Sequence, residues 1–286
     1  MEWVILILIV IIGVSGRILY ENCHIRKTVY ELKSSKVKDN IKIIFLSDLH
    51  NQSFGKNNQK LIEQIQKEKP DYILIGGDML VGKRGELDKN ASNAWKLLQG
   101  IVNEFPVFYV NGNHETRMKF DVEKYGTQYE EYEKKLKQLG VSILNNGSFS
   151  MEDKGIQING IELEEAYYKK RGAKTLTVEE IEQRIGKKDE TMFQILLAHK
   201  PEYFPSYVGW GADLTLAGHN HGGIVRFPFL GGMISTQYRI LPKYDGGLYT
   251  KENKNMIVSR GLGGHTIKVR FMNLPDFIVI QLCKKE

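Results

Sequence analysis

Unbroken apolar stretches recur along the chain, and each closes on residues able to hold a metal. "IKIIFLSDLH" (41–50) ends with Asp48 and His50, "DYILIGGD" (71–78) with Asp78, and "PVFYVNGNHE" (106–115) carries Asn113 and His114 near its end. "MFQILLAHK" (192–200) carries His199, and "DLTLAGHNH" (213–221) ends with His219 and His221. Apolar runs without alternation are the pattern of strands buried on both faces. Helical spacing over 57–68, 90–104 and 128–139 falls between the first runs and before "VSIL" (141–144). This β-α-β-α-β rhythm predicts a layered α/β fold with a largely parallel sheet. In open sheets of that kind ligands bind beyond the carboxyl ends of the strands, so the polar ends should converge on one rim.

The second half leans towards β structure. Strands are expected at 156–163, 256–260 and 276–282, with a helix over 177–186, and "TVYELK" (28–33) reads as a further strand ahead of the first long run. Residues 164–190 are highly charged and predict a surface excursion. No Pro/Gly-rich linker divides the body, so one domain of residues 23–286 is expected behind a separate amino-terminal segment of residues 1–22. The two cysteines, Cys23 and Cys283, lie at opposite ends in no metal or redox spacing, which argues against a disulfide framework. The formal charge of +6 suits an anionic partner, but the basic residues form no recognisable nucleic-acid module.

The amino-terminal segment "WVILILIVIIGVSG" (3–16) has no charge, and apolar character resumes after Arg17. Residues 3–20 reach the roughly 17–25 residues that a bilayer span needs if Arg17 snorkels. Glu2 is the only early charged side chain, so no basic region precedes the run as in a cleaved signal peptide. An uncleaved, single-pass anchor is therefore expected, against the alternative of a buried core helix. Arg17, Arg26, Lys27 and Lys33 follow the run, which puts the body on the cytoplasmic side of a cell membrane by the positive-inside rule.

Five of the seven histidines (His50, His114, His199, His219, His221) sit at strand ends. Each alone would be read as a structural histidine; together they indicate a metal site. Residues i and i+2 of an extended strand point to the same side, so Asp48 and His50 are expected to grip one cation together. Gly76 and Gly77 free the approach to Asp78, whose carboxylate can bridge two ions. Two carboxylates against two divalent cations leave about +2 at the site, which attracts a phosphate anion. Nitrogen and oxygen donors without thiolate suit Mn, Fe or Zn over Ca or Cu(I).

"SDLH" (47–50), "GGD" (76–78), "GNHE" (112–115), "AHKP" (198–201) and "GHNHGG" (218–223), in this order, resemble the calcineurin-like metallophosphoesterase superfamily. "SRGLG" (259–263) and the closing strand look like its membrane-associated bacterial branch, which includes phosphodiesterases and enzymes similar to UDP-2,3-diacylglucosamine pyrophosphatase. The resemblance implies a two-layer β-sandwich flanked by helices. It also implies a dinuclear centre with Asp48, His50, Asp78 and His221 on one metal, and Asp78, Asn113, His199 and His219 on the other. His114 matches the family's non-ligand histidine, which assists the leaving group. The implied activity is hydrolysis of a phosphodiester or pyrophosphate, in a lipid- or nucleotide-linked substrate, by in-line attack of a metal-bound hydroxide.

Two positions depart from the pattern. Ile224 stands where the branch commonly has glutamine, and Val81 where many members have an aspartate that orients the catalytic histidine. These departures keep open a non-catalytic membrane protein that uses the metals for binding or scaffolding; a metal-dependent nuclease is a third reading. Glu115 is expected as a hydrogen-bond acceptor, and Lys200 and Arg117 as solvated surface or substrate contacts. His24 is expected to be exposed beside the membrane, and His265 in a loop that either lines the cleft with Arg260 or is plain surface.

Overall fold

The chain opens with helix α1 (Glu2–Cys23), followed by strands β1 (Arg26–Ser34) and β2 (Ile41–Leu46). Then come α2 (Gln59–Glu68), β3 (Tyr72–Ile75), α3 (Leu87–Gln99), β4 (Val107–Tyr109), α4 (Asn113–Phe120), α5 (Val122–Tyr125), α6 (Gln128–Gln138) and β5 (Ser142–Ile143). The second half runs β6 (Gly147–Met151), β7 (Ile156–Ile161), α7 (Glu165–Tyr168), α8 (Val178–Ile185), β8 (Phe193–Ala198), α9 (Phe204–Trp210) and β9 (Leu214–Ala217). It ends with β10 (Arg226–Phe227), β11 (Gly231–Gly232), β12 (Gly247–Lys251), β13 (Lys254–Val258) and β14 (Asp276–Lys284). The structure is a computed structural model, and it describes residues 2–85, 87–227, 229–234, 240–264 and 269–285.

Two six-stranded sheets carry the fold, ordered β1-β14-β2-β3-β4-β5 and β12-β13-β9-β8-β7-β6. Each has a parallel centre, β2-β3-β4-β5 in the first and β13-β9-β8-β7 in the second. Strand alternation explains why both faces read as apolar. Ile41, Ile43 and Phe45 of β2 meet Ile195 and Leu197 of β8 and Leu214 and Leu216 of β9 between the sheets. Ile44 and Leu46 of the same strand face the helix layer with Leu61, Trp95 and Tyr132. The two-layer sandwich flanked by helices is thus the architecture observed.

Two details differ from expectation, and a third decides against an alternative. Residues 113–120 form helix α4, where the sequence reads as the tail of a strand. The charged stretch 164–190 covers the second sheet: Tyr167, Tyr168, Leu176 and Ile181 are buried against Leu196, Tyr207 and Trp210. Helix α1 is no core helix, since its apolar window is entirely exposed while its last turn is docked. There Glu21 is fully buried, pairs with Arg17 at 2.6 Å and accepts the Asn273 amide at 2.7 Å.

Candidate metal centre

Beyond β2, β3, β8 and β9 the backbone turns sharply. Asp48, His50, Asp78, His219 and His221 all have φ between 44° and 70°. Left-handed backbone is unfavourable for such residues and persists where the surroundings over-determine it. Asp48 and His50 therefore do not share a side through strand alternation, because β2 has already ended at Leu46. Backbone bonds from Asp48 and His50 amides to the Gly77 and Asp78 carbonyls, both 3.0 Å, hold the two loops together instead. Glycine makes the approach possible. A Cβ on Gly112 would fall inside the Asp78 carboxylate, and one on Gly218 inside the Asp48 carboxylate.

The loops bring three overlapping clusters into range of a metal: Asp48–His50–His221, His50–Asp78–His114 and Asp78–His199–His219. Each carboxylate divides its two oxygens. Asp78 Oδ1 accepts the His114 amide at 2.8 Å, which leaves Oδ2 facing His199 Nε2 at 3.3 Å and His50 Nε2 at 3.8 Å. Asp48 Oδ2 accepts the Ser47 hydroxyl at 2.6 Å and Oδ1 faces His221 Nε2 at 3.2 Å, with the His219 amide shared between the two oxygens at 3.1 Å. Nδ1 of His199 donates to the Gly76 carbonyl at 2.6 Å, and Nδ1 of His221 to the Gly263 carbonyl at 3.1 Å. A carbonyl can only accept, so these bonds fix the tautomer that turns the Nε2 lone pair inward.

A divalent cation fits this donor set. His50 and His221 present Nε2 atoms to each other at 3.0 Å, a repulsive pairing of lone pairs unless a proton or cation intervenes. Asn113 Oδ1 is buried with no hydrogen-bond partner among the described residues, an arrangement that costs free energy unless a ligand satisfies it. Burial pushes His50 and His219 well below the ordinary imidazole range. Burial acts the same way on His199, but the carboxylates of Asp78 and Asp48 outweigh it and push it up to about 10. Burial opposes ionisation of Asp48 and Asp78 as well, and the surrounding imidazoles still hold both below the carboxylate range.

Glu115 is the acceptor expected. It takes hydrogen bonds from the amides of Asp78 and Met79, both 2.9 Å, from the Gly112 amide at 3.1 Å and from the Tyr109 hydroxyl at 2.8 Å. It thereby ties the exit of β3 to the start of α4. His114 lacks the family's aspartate at Val81, but the Gly82 amide donates to its Nδ1 at 3.0 Å. In the neutral ring, which burial favours, the proton is then on Nε2.

A cleft of about 540 Å³ opens over His50 and His114, with Val81, Gly82, Lys83, Lys89 and Arg117 on its walls. Lys83 and Lys89 went unread in the sequence because isolated lysines carry no pattern. Arg117 lines the cleft. Lys200 does neither of the things expected: it is buried, donating to the Tyr167 carbonyl and lying over the Tyr168 and Tyr203 rings. Arg260 lines a different cavity, with Arg226 and Met272. The backbone of Ile224 joins Ile234 and Phe271 at 2.8 and 3.2 Å, and its side chain is not among those lining the cleft. His24 is exposed and caps α1 on the Tyr20 carbonyl at 2.7 Å, whereas His265 lies outside the described residues.

The family profile and the curated relatives agree with this chemistry. The chain is 27% identical over 265 residues to the uncharacterized metallophosphoesterase YkuE of Bacillus subtilis, covering 90% of this chain and 85% of that one. It is 26% identical over 251 residues to the phosphodiesterase YaeI of Escherichia coli, covering 86% and 84%. Among solved structures, the calcineurin-like phosphoesterase YfkN of Bacillus subtilis aligns over 78% of this chain and 82% of that one, with TM-score 0.46 and 16% identity. The calcineurin-like phosphoesterase family profile matches residues 41–223, which include all eight of the residues at the strand ends. The chain belongs to the calcineurin-like phosphoesterase family and is a metal-dependent hydrolase of phosphate esters.

Proposed function

We propose that the chain is a membrane-anchored phosphoesterase that hydrolyses a phosphodiester or pyrophosphate bond in a lipid- or nucleotide-linked substrate. The observation that carries this reading is the Asp78 carboxylate, with one oxygen tied to the His114 amide and the other turned between His50 and His199. Asp48, His50, Asp78 and His221 would hold one divalent ion, and Asp78, Asn113, His199 and His219 the other. When bound, two such ions (Mn, Fe or Zn) supply Lewis acidity towards water and the phosphoryl oxygens.

The chain's own residues do the rest. Lys83, Lys89 and Arg117 attract and orient the phosphate from the cleft walls. His114, neutral and held by the Gly82 amide, presents an N–H to the departing oxygen. The name of the Escherichia coli relative favours a diester over a monoester. Helix α1, of 22 residues with mean hydropathy 2.4 in its most apolar window, supports residues 1–22 as an anchor and the remainder as the catalytic domain. The cations after it favour a cytoplasmic body.

The reading is tested with the purified full chain in detergent with Mn²⁺. Bis(p-nitrophenyl) phosphate or a nucleotide-diphosphate lipid should be cleaved with higher kcat/KM than p-nitrophenyl phosphate. Cleavage of the monoester alone would overturn the diester assignment. A reporter fused after residue 286 and active only outside the cytoplasm would overturn the orientation.

A further inference from the structure

Arg260 belongs to a segment that borders the metal centre, yet its side chain serves another space. A Cβ on Gly261 would press on Asp48 and His221, while a Cβ on Gly222 would press on the stem of Arg260. The loop carrying His221 therefore lies between the metal cluster and this guanidinium. Arg260 opens instead into a cavity of about 420 Å³ with Arg226, Phe227, Phe229 and Met272.

Three guanidiniums meet near this cavity, and their charges are unevenly met. Arg226 pairs with Asp245 at 2.9 Å, and Arg26 pairs with Asp276 at 3.3 Å. Arg260 has no ion pair among the described residues, and its buried Nε has no hydrogen-bond partner. Burial and then repulsion from Arg226 and Arg26 lower its pKa to about 10, which leaves it charged at neutral pH. An anion entering this cavity would relieve that repulsion.

Met272 also lines a neighbouring groove of about 440 Å³, formed with Phe271 against Val10, Gly13, Val14 and, at its end, Arg17 of α1. The two spaces thus adjoin, one cationic and one mostly apolar along the helix of bilayer-spanning length. Phe229 and Leu230, between β10 and β11, stand exposed beside them. Exposed apolar residues next to a cationic pocket and an apolar helix suit the boundary of lipid headgroups and acyl chains.

We propose that the two cavities form one site for an anionic glycerophospholipid, with the phosphate on Arg260 and Arg226 and an acyl chain along α1 past Met272. Guanidinium suits this role because its fork matches two phosphate oxygens. The site rests on the reading of α1 as a membrane helix. It would set the roll of the catalytic body against the bilayer, separately from substrate in the metal cleft.

The full chain in detergent is titrated with phosphatidylglycerol or phosphatidylcholine, and retained lipid is counted by native mass spectrometry. The expected result is a preference for phosphatidylglycerol of about fivefold, lost in Arg260→Gln. Gly13→Leu should weaken retention of both lipids by filling the groove; an added Cβ there meets nothing within 4 Å, so the fold tolerates it. Undiminished preference in Arg260→Gln, or undiminished retention in Gly13→Leu, overturns the site. Displacement of the lipid by millimolar inorganic phosphate also overturns it, because the pocket would then be a free-phosphate site. Liposome flotation of the same protein separates the two readings. A chain that floats without headgroup preference refutes the lipid site alone; a chain that does not float refutes the anchor with it.

Discussion

At the scale of single residues, the candidate centre depends on which atoms are left free. Asp78 commits one oxygen to the His114 amide and turns the other inward. Asp48 shares the His219 amide between both oxygens, gives Oδ2 to the Ser47 hydroxyl as well and turns Oδ1 towards His221. Gly218→Ala would drive a Cβ into the Asp48 carboxylate and the Ser47 hydroxyl. Metal affinity should fall by about 10–100-fold, read as metal content after dialysis against graded chelator. Proton linkage gives a second expectation. The metal-free centre keeps His199 protonated up to about 10, and a metal needs the lone pair that this proton occupies. Metal binding at pH 7 should therefore release protons and tighten as pH rises. Calorimetry in buffers of different ionisation enthalpy reads the release directly, and affinity independent of pH would contradict it. For His114, ¹⁵N shifts of the neutral ring should show the proton on Nε2, opposite the Gly82 amide. All these donors were legible in the sequence because metal chemistry selects residue types. Their orienting partners were not: the Gly76 and Gly263 carbonyls and the Gly82 amide are backbone groups, which every residue possesses.

At the scale of elements, the strands were easier to read than the turns that follow them. β2, β3, β8 and β9 are buried on both faces, so their apolar runs stand out without alternation. Helix α4 was missed because "NHETRMKF" has no apolar stripe and follows a strand directly. β6 and β12 are short and largely exposed, which removes the pattern that would mark them. The left-handed positions were invisible too, since positive φ is uncommon even for Asp and His, and neither residue type alone marks Asp48 or His219. Glu115 shows what such local structure depends on. Glu115→Ala strands three buried amides and leaves the Tyr109 hydroxyl only its Tyr132 partner, and should cost on the order of 3 kcal/mol. The urea midpoint at constant slope measures it; an unchanged midpoint would show that the clasp between β3 and α4 is dispensable.

At the scale of the whole molecule, a short chain of bonds joins the amino-terminal helix to the centre. Glu21 accepts the Asn273 amide, and Asn273 Nδ2 donates to the carbonyls of His221 and Gly223 at 2.7 and 2.6 Å. Arg270 braces the same region by donating to the carbonyls of Arg260, Gly261 and Gly263. Loss of residues 2–16 should leave metal retention unchanged, whereas Glu21→Ala should lower thermal stability by about 1–3 kcal/mol, because it leaves the Asn273 amide unpaired. The order of motifs made the sandwich legible from sequence; this docking was not, because Glu21 and Asn273 are isolated polar residues far apart in the chain.

Everything at the three scales turns on Asp78 joining two metal positions in a hydrolytic site. Metal content and turnover of bis(p-nitrophenyl) phosphate, measured together for the full chain and for Asp78→Asn, test it most directly. The parent protein should hold about two divalent ions per chain and turn over, and the variant should lose metal with at least about 100-fold lower turnover. Full metal content and full turnover in Asp78→Asn would contradict it.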